Sequence, residues 1–177
     1  TNTLDAVAKL FFEQGIDVNQ ALIASGSQPT EIYSKTFLDV FVFIGGCGTA
    51  LCLIIALFVV AKKSHNKRLA QFSCVPVLFN ISEIVVFGFP VIFNPIMIVP
   101  FILTPIVMAI VSSAAMVVGL VPLVTNSVEW TSPVILSGYT ATGSVAGSLL
   151  QLFNIAMGVF IYIPFVKRSE RKQTEDF

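Results

Sequence analysis

Apolar positions along this chain gather into blocks too long and continuous for a water-soluble fold. Val40–Ala61 gives twenty-two consecutive uncharged residues, enough for one helix to cross a hydrocarbon core of about 30 Å. Leu69–Pro95 is also apolar, but Pro76, Gly88, Pro90, Pro95 and the acidic Glu83 interrupt it too often for one straight helix. Such breaks survive at membrane depth only where protein or a water-filled cavity satisfies the freed backbone groups. Pro95–Pro122 follows as a second full span, with Pro100 and Pro105 near its start predicting a kink. After the polar stretch Thr125–Pro133, Val134–Ser148 offers fifteen residues rich in Gly, Ser and Thr. That is short for a crossing and predicts a re-entrant hairpin tipping near Gly138–Gly143. A short helix packed through Gly143 and Gly147 is the other reading. Leu149–Val166 is the last span.

Residues 1–35 have ordinary polarity. Leu4, Val7, Leu10 and Phe11 recur at helical spacing beside Asp5, Lys9 and Glu13, which predicts an amphipathic helix ending near Gly15. It lies along the membrane surface or serves as an extramembrane connector. Ser25–Pro29 reads as a turn. The chain begins with Thr, not Met, and shows no signal peptide of the usual three-part form, so we expect it to be an excerpt of a longer protein.

Composition sharpens this picture. Only 11% of residues are charged, against about 25% in an average globular domain, and the mean hydropathy is +0.88. The fold class expected is an all-α polytopic membrane protein, its transmembrane helices accompanied by broken helices and a re-entrant hairpin. It divides into a segment 1–35, a membrane domain 36–166 and a charged tail 167–177. Beyond the first thirty-five residues the basic side chains fall in two clusters, Lys62–Arg68 and Lys167–Lys172. Basic clusters flanking apolar spans mark the cytoplasmic side. An even number of crossings then lies between them: Pro95–Pro122 outward and Leu149–Val166 back. Net charge is zero, and nothing points to nucleic acid.

Chemistry concentrates in Asn80–Pro95. Glu83 stands between Asn80 and Ser82 on one side and an uncharged run of forty-five residues, Ile84 to Val128, on the other. A carboxylate at the centre of a bilayer costs about 2.5–3.5 kcal/mol on insertion scales, so it faces a cavity, a pathway or a partner group. No Lys, Arg or His occurs from Leu69 to Val166 to neutralise it. The uncharged hydrogen-bonding neighbours Asn80, Ser82 and Asn94 point to a pocket for a hydroxyl-rich ligand. Gly45-Gly46-Cys47-Gly48-Thr49 lacks the Lys of a phosphate-binding loop. It either packs helices closely or breaks the span and exposes backbone to a substrate. Asp39, one turn earlier, favours the break and adds a polar group near the pocket. Trp130 is either an interfacial anchor or an aromatic platform under a sugar ring. His65 belongs to a solvated basic loop, and Cys47, Cys52 and Cys74 read as small buried thiols. No nucleophile–base pair or metal-ligand cluster is present, so no catalytic centre, metal or cofactor is expected.

Asn80-Ile-Ser-Glu-Ile, then Phe87-Gly-Phe-Pro90 and Asn94-Pro95, resembles the N-I-N-E-P…F-G-x-P…N-P signature of the phosphotransferase-system enzyme IIC permeases, lactose/cellobiose/diacetylchitobiose branch. Thr36-Phe37, Asp39-Val-Phe41 and Gly45-Gly46 resemble the segment before that signature. Trp130-Thr-Ser-Pro133, Gly138-Tyr, Thr142-Gly143 and Tyr162-Ile-Pro-Phe165 resemble the carboxy-terminal portion. The resemblance implies the substrate-binding half of a multi-pass permease of the bacterial inner membrane, a homodimer formed through an amino-terminal half missing here. Such a permease binds a disaccharide of the cellobiose, chitobiose or lactose type, which phosphorylated enzyme IIB then phosphorylates. It places Glu83 at the sugar, with Asn80, Asp39 and Trp130 as further pocket residues. The chain departs from the signature at Ser82 and Ile84 and lacks the family's Gly-[Ile/Val]-His-Gly element. Two other readings remain: a degenerate permease domain serving as sensor or anchor for a signalling domain, and an unrelated ion-coupled transporter with Glu83 as proton site.

Overall fold

The computed structural model describes residues 14–62, 64–89, 91 and 94–175. The helix expected over Leu4–Phe11 and the signature's Pro90 lie outside them. The described residues form helices and connecting turns, with no strand among them. Helix α1 occupies residues 14–24, so the polar segment stays helical past Gly15, the expected end. Asn19 ties this helix to the chain around it. Its Oδ1 accepts from the backbone N–H groups of Thr30 and Glu31, and its Nδ2 donates to the carbonyls of Glu31 and Val124.

The span expected over Val40–Ala61 is broken. Helix α2, Lys35–Phe37, starts at Ser34, whose hydroxyl accepts from Phe37 N–H at 3.1 Å. It widens at once into a π-helical turn, Leu38–Val42. The backbone then turns through Gly45, Gly46, Gly48 and Thr49, all at positive φ, before α3, Ala50–Val60, begins. Of the two readings of the glycine run, the break is the one observed. Main-chain groups freed inside an apolar molecule need partners, and one helix supplies them. Gln151 Nε2 donates to Val40 O at 2.7 Å, Asn154 Nδ2 to Phe41 O at 3.0 Å and Tyr162 Oη to Gly48 O. Removing the last bond alone, by Tyr162→Phe, is expected to lower stability by about 1 kcal/mol. Thermal unfolding of the detergent-purified protein reads this out. An unchanged midpoint would show that Thr49 Oγ1, which also donates to Gly48 O, suffices.

Helix α4, Ser64–Leu78, takes in most of the basic stretch expected as a loop, and it carries Pro76 near its end. A turn at 79–82 separates it from α5, Glu83–Gly88, so the interrupted reading of Leu69–Pro95 holds. Helix α6, Pro95–Val117, runs through both Pro100 and Pro105. Asn94 caps it, with Pro95 at the first position, where its missing N–H has no cost. Helix α7, Leu136–Thr142, turns at Gly143 (φ +64°) into α8, Val145–Glu175. Val134–Ser148 thus holds one short helix, α7, with Gly138 inside it, and residues 145–148 already belong to the last span, which begins before the expected Leu149. Gly138 and Gly147 let the two helices touch: a Cβ on Gly147 would stand 2.3 Å from Gly138 O. Gln151 ties this helix pair as well, accepting from Ile135 N–H and Gly138 N–H.

Two of these helices, Pro95–Val117 and Val145–Lys172, are long and apolar enough to cross a membrane. α8 runs on through the charged tail. There Glu170 is buried, accepting from Lys62 N–H at 2.9 Å and Asn66 Nδ2 at 2.8 Å. The two basic clusters thus meet at one end of the molecule. His65 is exposed on α4.

Candidate functional site

A hollow of about 260 Å³ opens beside the broken span, lined by Asp39, Phe43, Gly46, Cys47, Asn80 and Trp130. Four stretches of chain meet there. The π-helical turn brings Asp39, the glycine run brings Gly46 and Cys47, the α4–α5 turn brings Asn80, and the loop before α7 brings Trp130. π-turns are enriched at functional sites because they re-aim side chains that a regular helix would place elsewhere. Asp39 carries a counter-ion from its own helix, Lys35 Nζ at 3.1 Å.

Asn80 holds the walls together. It sits at φ +62°, a left-handed conformation that Asn tolerates better than most residues. Its Oδ1 accepts from Gly45 N–H at 2.8 Å, and its Nδ2 donates to the carbonyl of Trp130. Ser82 does the same work one step further on, its Oγ accepting from Cys47 N–H at 3.2 Å. Close contact demands glycine at position 46. Its φ is +96°, and a Cβ there would lie 2.7 Å from Asn80 O and 2.8 Å from Ser82 Oγ.

The structure therefore gathers three of the six expected site residues, Asp39, Asn80 and Trp130, and it changes the part Asn80 plays. Its amide is committed at both ends to protein, so it shapes the hollow first. Ser82 braces the wall from behind. Glu83 opens α5 next to Ser82, exposed and outside the lining of this hollow. Asn94 lies apart from the group. Its Oδ1 caps α6 through Ile96 N–H and its Nδ2 donates to Ser169 Oγ at 2.7 Å, so a structural task occupies it. Trp130 is half exposed.

Phe43 and Cys47 were not anticipated. Of the three cysteines expected to be buried, Cys52 is buried, Cys74 is half-buried and Cys47 is exposed, because the backbone turn after Gly46 directs it to the hollow. Among the described residues no group of His, Cys, Asp or Glu has the arrangement of a metal site.

The family model for the phosphotransferase system EIIC matches residues 6–105. The chain belongs to the EIIC family. It is 33% identical over 177 residues to the lichenan permease IIC component of Bacillus subtilis (strain 168), covering 99% of this chain and 39% of that protein. It is 40% identical over 147 residues to the cellobiose-specific EIIC component of Geobacillus stearothermophilus, covering 82% of this chain and 33% of that one. The crystal structure of the transporter ChbC, the IIC component from the N,N'-diacetylchitobiose-specific phosphotransferase system, superposes with a TM-score of 0.90 at 34% identity. That match covers 96% of this chain and 40% of ChbC. This EIIC chain thus spans about two-fifths or less of each of these proteins. As a member of an integral membrane family it lies in a bilayer, and the unrelated ion-coupled transporter falls away.

Proposed function

We propose that this chain is the substrate-binding half of a phosphotransferase-system permease of the bacterial inner membrane. Its hollow receives a pyranose ring of a cellobiose-, chitobiose- or lactose-type disaccharide, which enzyme IIB phosphorylates. The observation that carries this reading is the convergence of Trp130, Asp39 and Asn80 from three separate stretches on one space of about 260 Å³. An indole face suits the apolar face of a sugar, and its hydroxyls suit a carboxylate that accepts in fixed directions, held in a hollow whose wall Asn80 shapes. The volume is near the low end of small-ligand pockets, and Glu83, at the start of α5 beside the braced wall, extends the site toward the second ring. Its carboxylate accepts from sugar hydroxyls and orients the one to be phosphorylated. The chemistry itself belongs to the partner, and the whole permease works as a homodimer of multi-pass subunits. Nothing observed favours the sensor or anchor reading.

Cys47 makes the proposal testable without disturbing the pocket. In full-length protein with Cys74 and any exposed cysteine outside this chain replaced by Ser, a maleimide is expected to react at exposed Cys47 and leave buried Cys52 alone. Cellobiose, diacetylchitobiose or lactose at about ten times its Kd should slow that reaction about tenfold, by simple occupancy. A rate unmoved by all three sugars would sink the assignment.

A further inference from the structure

The four cations near the carboxy-terminal end of α8 have no part in the sugar site. Lys167, Arg168, Arg171 and Lys172 line a cleft of about 910 Å³ whose other walls are Ile96, Pro164 and Phe165. Their spacing, at i, i+1, i+4 and i+5, puts all four on one helical face, directly after the apolar turn that holds Pro164 and Phe165. The two acceptors interleaved among them point elsewhere. Ser169 accepts from Asn94 Nδ2, and Glu170 is buried, holding Lys62 N–H and Asn66 Nδ2. The adjacent carboxylate is therefore turned away from the cleft. Among the described residues none of the four cations has an ion pair, the salt bridge present being Lys35–Asp39. Complementing the negative end of the helix accounts for Lys172 in the last turn. It does not account for four cations that are gathered around an apolar floor and have no ion pair among the described residues.

The cleft has two chemistries in a fixed order along α8. Apolar side chains lie toward the membrane-crossing part of α8, and guanidinium and ammonium groups lie toward its end. Arg presents a planar fork that matches phosphate oxygens, and Lys adds point charge. We propose that this cleft holds the phosphate headgroup of an anionic phospholipid, with Ile96, Pro164 and Phe165 against the start of its chains. A soluble phosphate would satisfy the cations and leave the apolar floor without a role. Basic clefts between transmembrane helices on the cytoplasmic side are suited to anionic headgroups. The same cleft receives a second physical benefit from occupancy, since bridging α8 to the start of α6 fixes two helices that otherwise meet here through Asn94 and Ser169.

Native mass spectrometry of the full-length protein with equal amounts of phosphatidylglycerol and phosphatidylcholine of the same chain length tests this. Retention of phosphatidylglycerol is expected to exceed that of phosphatidylcholine by about tenfold, and Arg168→Gln with Arg171→Gln should bring the ratio within about twofold of unity. Arg168→Lys with Arg171→Lys keeps the charge and should keep the preference. Lys67→Gln with Arg68→Gln, an equal loss of charge from the neighbouring cluster, should leave it intact. No preference in the wild type, a preserved preference in the Gln pair, or its loss in the Lys pair or the neighbouring-cluster control would each overturn the proposal. Displacement of the lipid by millimolar inorganic phosphate would overturn it too, by assigning the cations to a soluble anion.

Discussion

Glu83→Gln is expected to weaken disaccharide binding by about ten- to a hundredfold, since each hydrogen bond to a charged group contributes about 1.5–3 kcal/mol. The substitution keeps shape and removes charge, and Glu83 is exposed at the first position of α5, so folding should be untouched. Calorimetry of the full-length protein with cellobiose, diacetylchitobiose and lactose measures it, with the melting midpoint as the control. Wild-type affinity in the variant would remove Glu83 from the site and confine the sugar to the hollow around Asp39 and Trp130. An absence of binding to the wild type by all three would instead revive the sensor or anchor reading.

The second large effect is structural. Gly46→Ala should destabilise the protein by about 2–6 kcal/mol, adding left-handed strain of about 1–3 kcal/mol to overpacking of similar size. Gly26 separates the two contributions. It has a comparable φ of +79° but nothing within 4 Å of a Cβ, so Gly26→Ala should show the strain without the clash. If the two variants melt together, the contact between the glycine run and the Asn80–Ser82 turn carries no weight. Because that contact forms one wall of the hollow, Gly46→Ala should also lower sugar affinity in whatever fraction remains folded.

Much of this architecture was legible from where apolar runs were interrupted. Pro76, Gly88 and Glu83 gave away the broken segment before α6, and the turn into α8 was visible in Gly143. The break inside Val40–Ala61 was one of two readings of its glycine run, and the apolar pattern could not choose between them. Hydropathy alone sees twenty-two uncharged residues and cannot tell a straight span from one bent at Gly45–Thr49. The missing clue lay elsewhere in the chain. Gln151, Asn154 and Tyr162 fall on one face of α8 inside an apolar span, where uncommitted polar groups are costly. Amides and a phenol at that spacing announce carbonyls in need of donors, which is what a broken helix nearby supplies. Asn94 has a related double reading. An Asn before Pro is both a signature residue and a good helix cap, and the observed bonds to Ile96 and Ser169 show it in the second part. Asp39, Asn80 and Trp130 are far apart in sequence, and it is the fold that brings them together.

Asn80, bonded at one end to Gly45 and at the other to the loop of Trp130, has a thermodynamic consequence. A receptor whose loops are loose must spend part of each ligand contact on ordering them, and its affinity falls accordingly. Here one amide joins the glycine turn to the aromatic loop before any sugar arrives. The conformational entropy of those walls has been lost during folding, so under the proposed assignment contacts with a sugar are free to appear as affinity. Severing the amide should therefore show in calorimetry as a less favourable binding entropy, even where every group that touches the sugar is still in place.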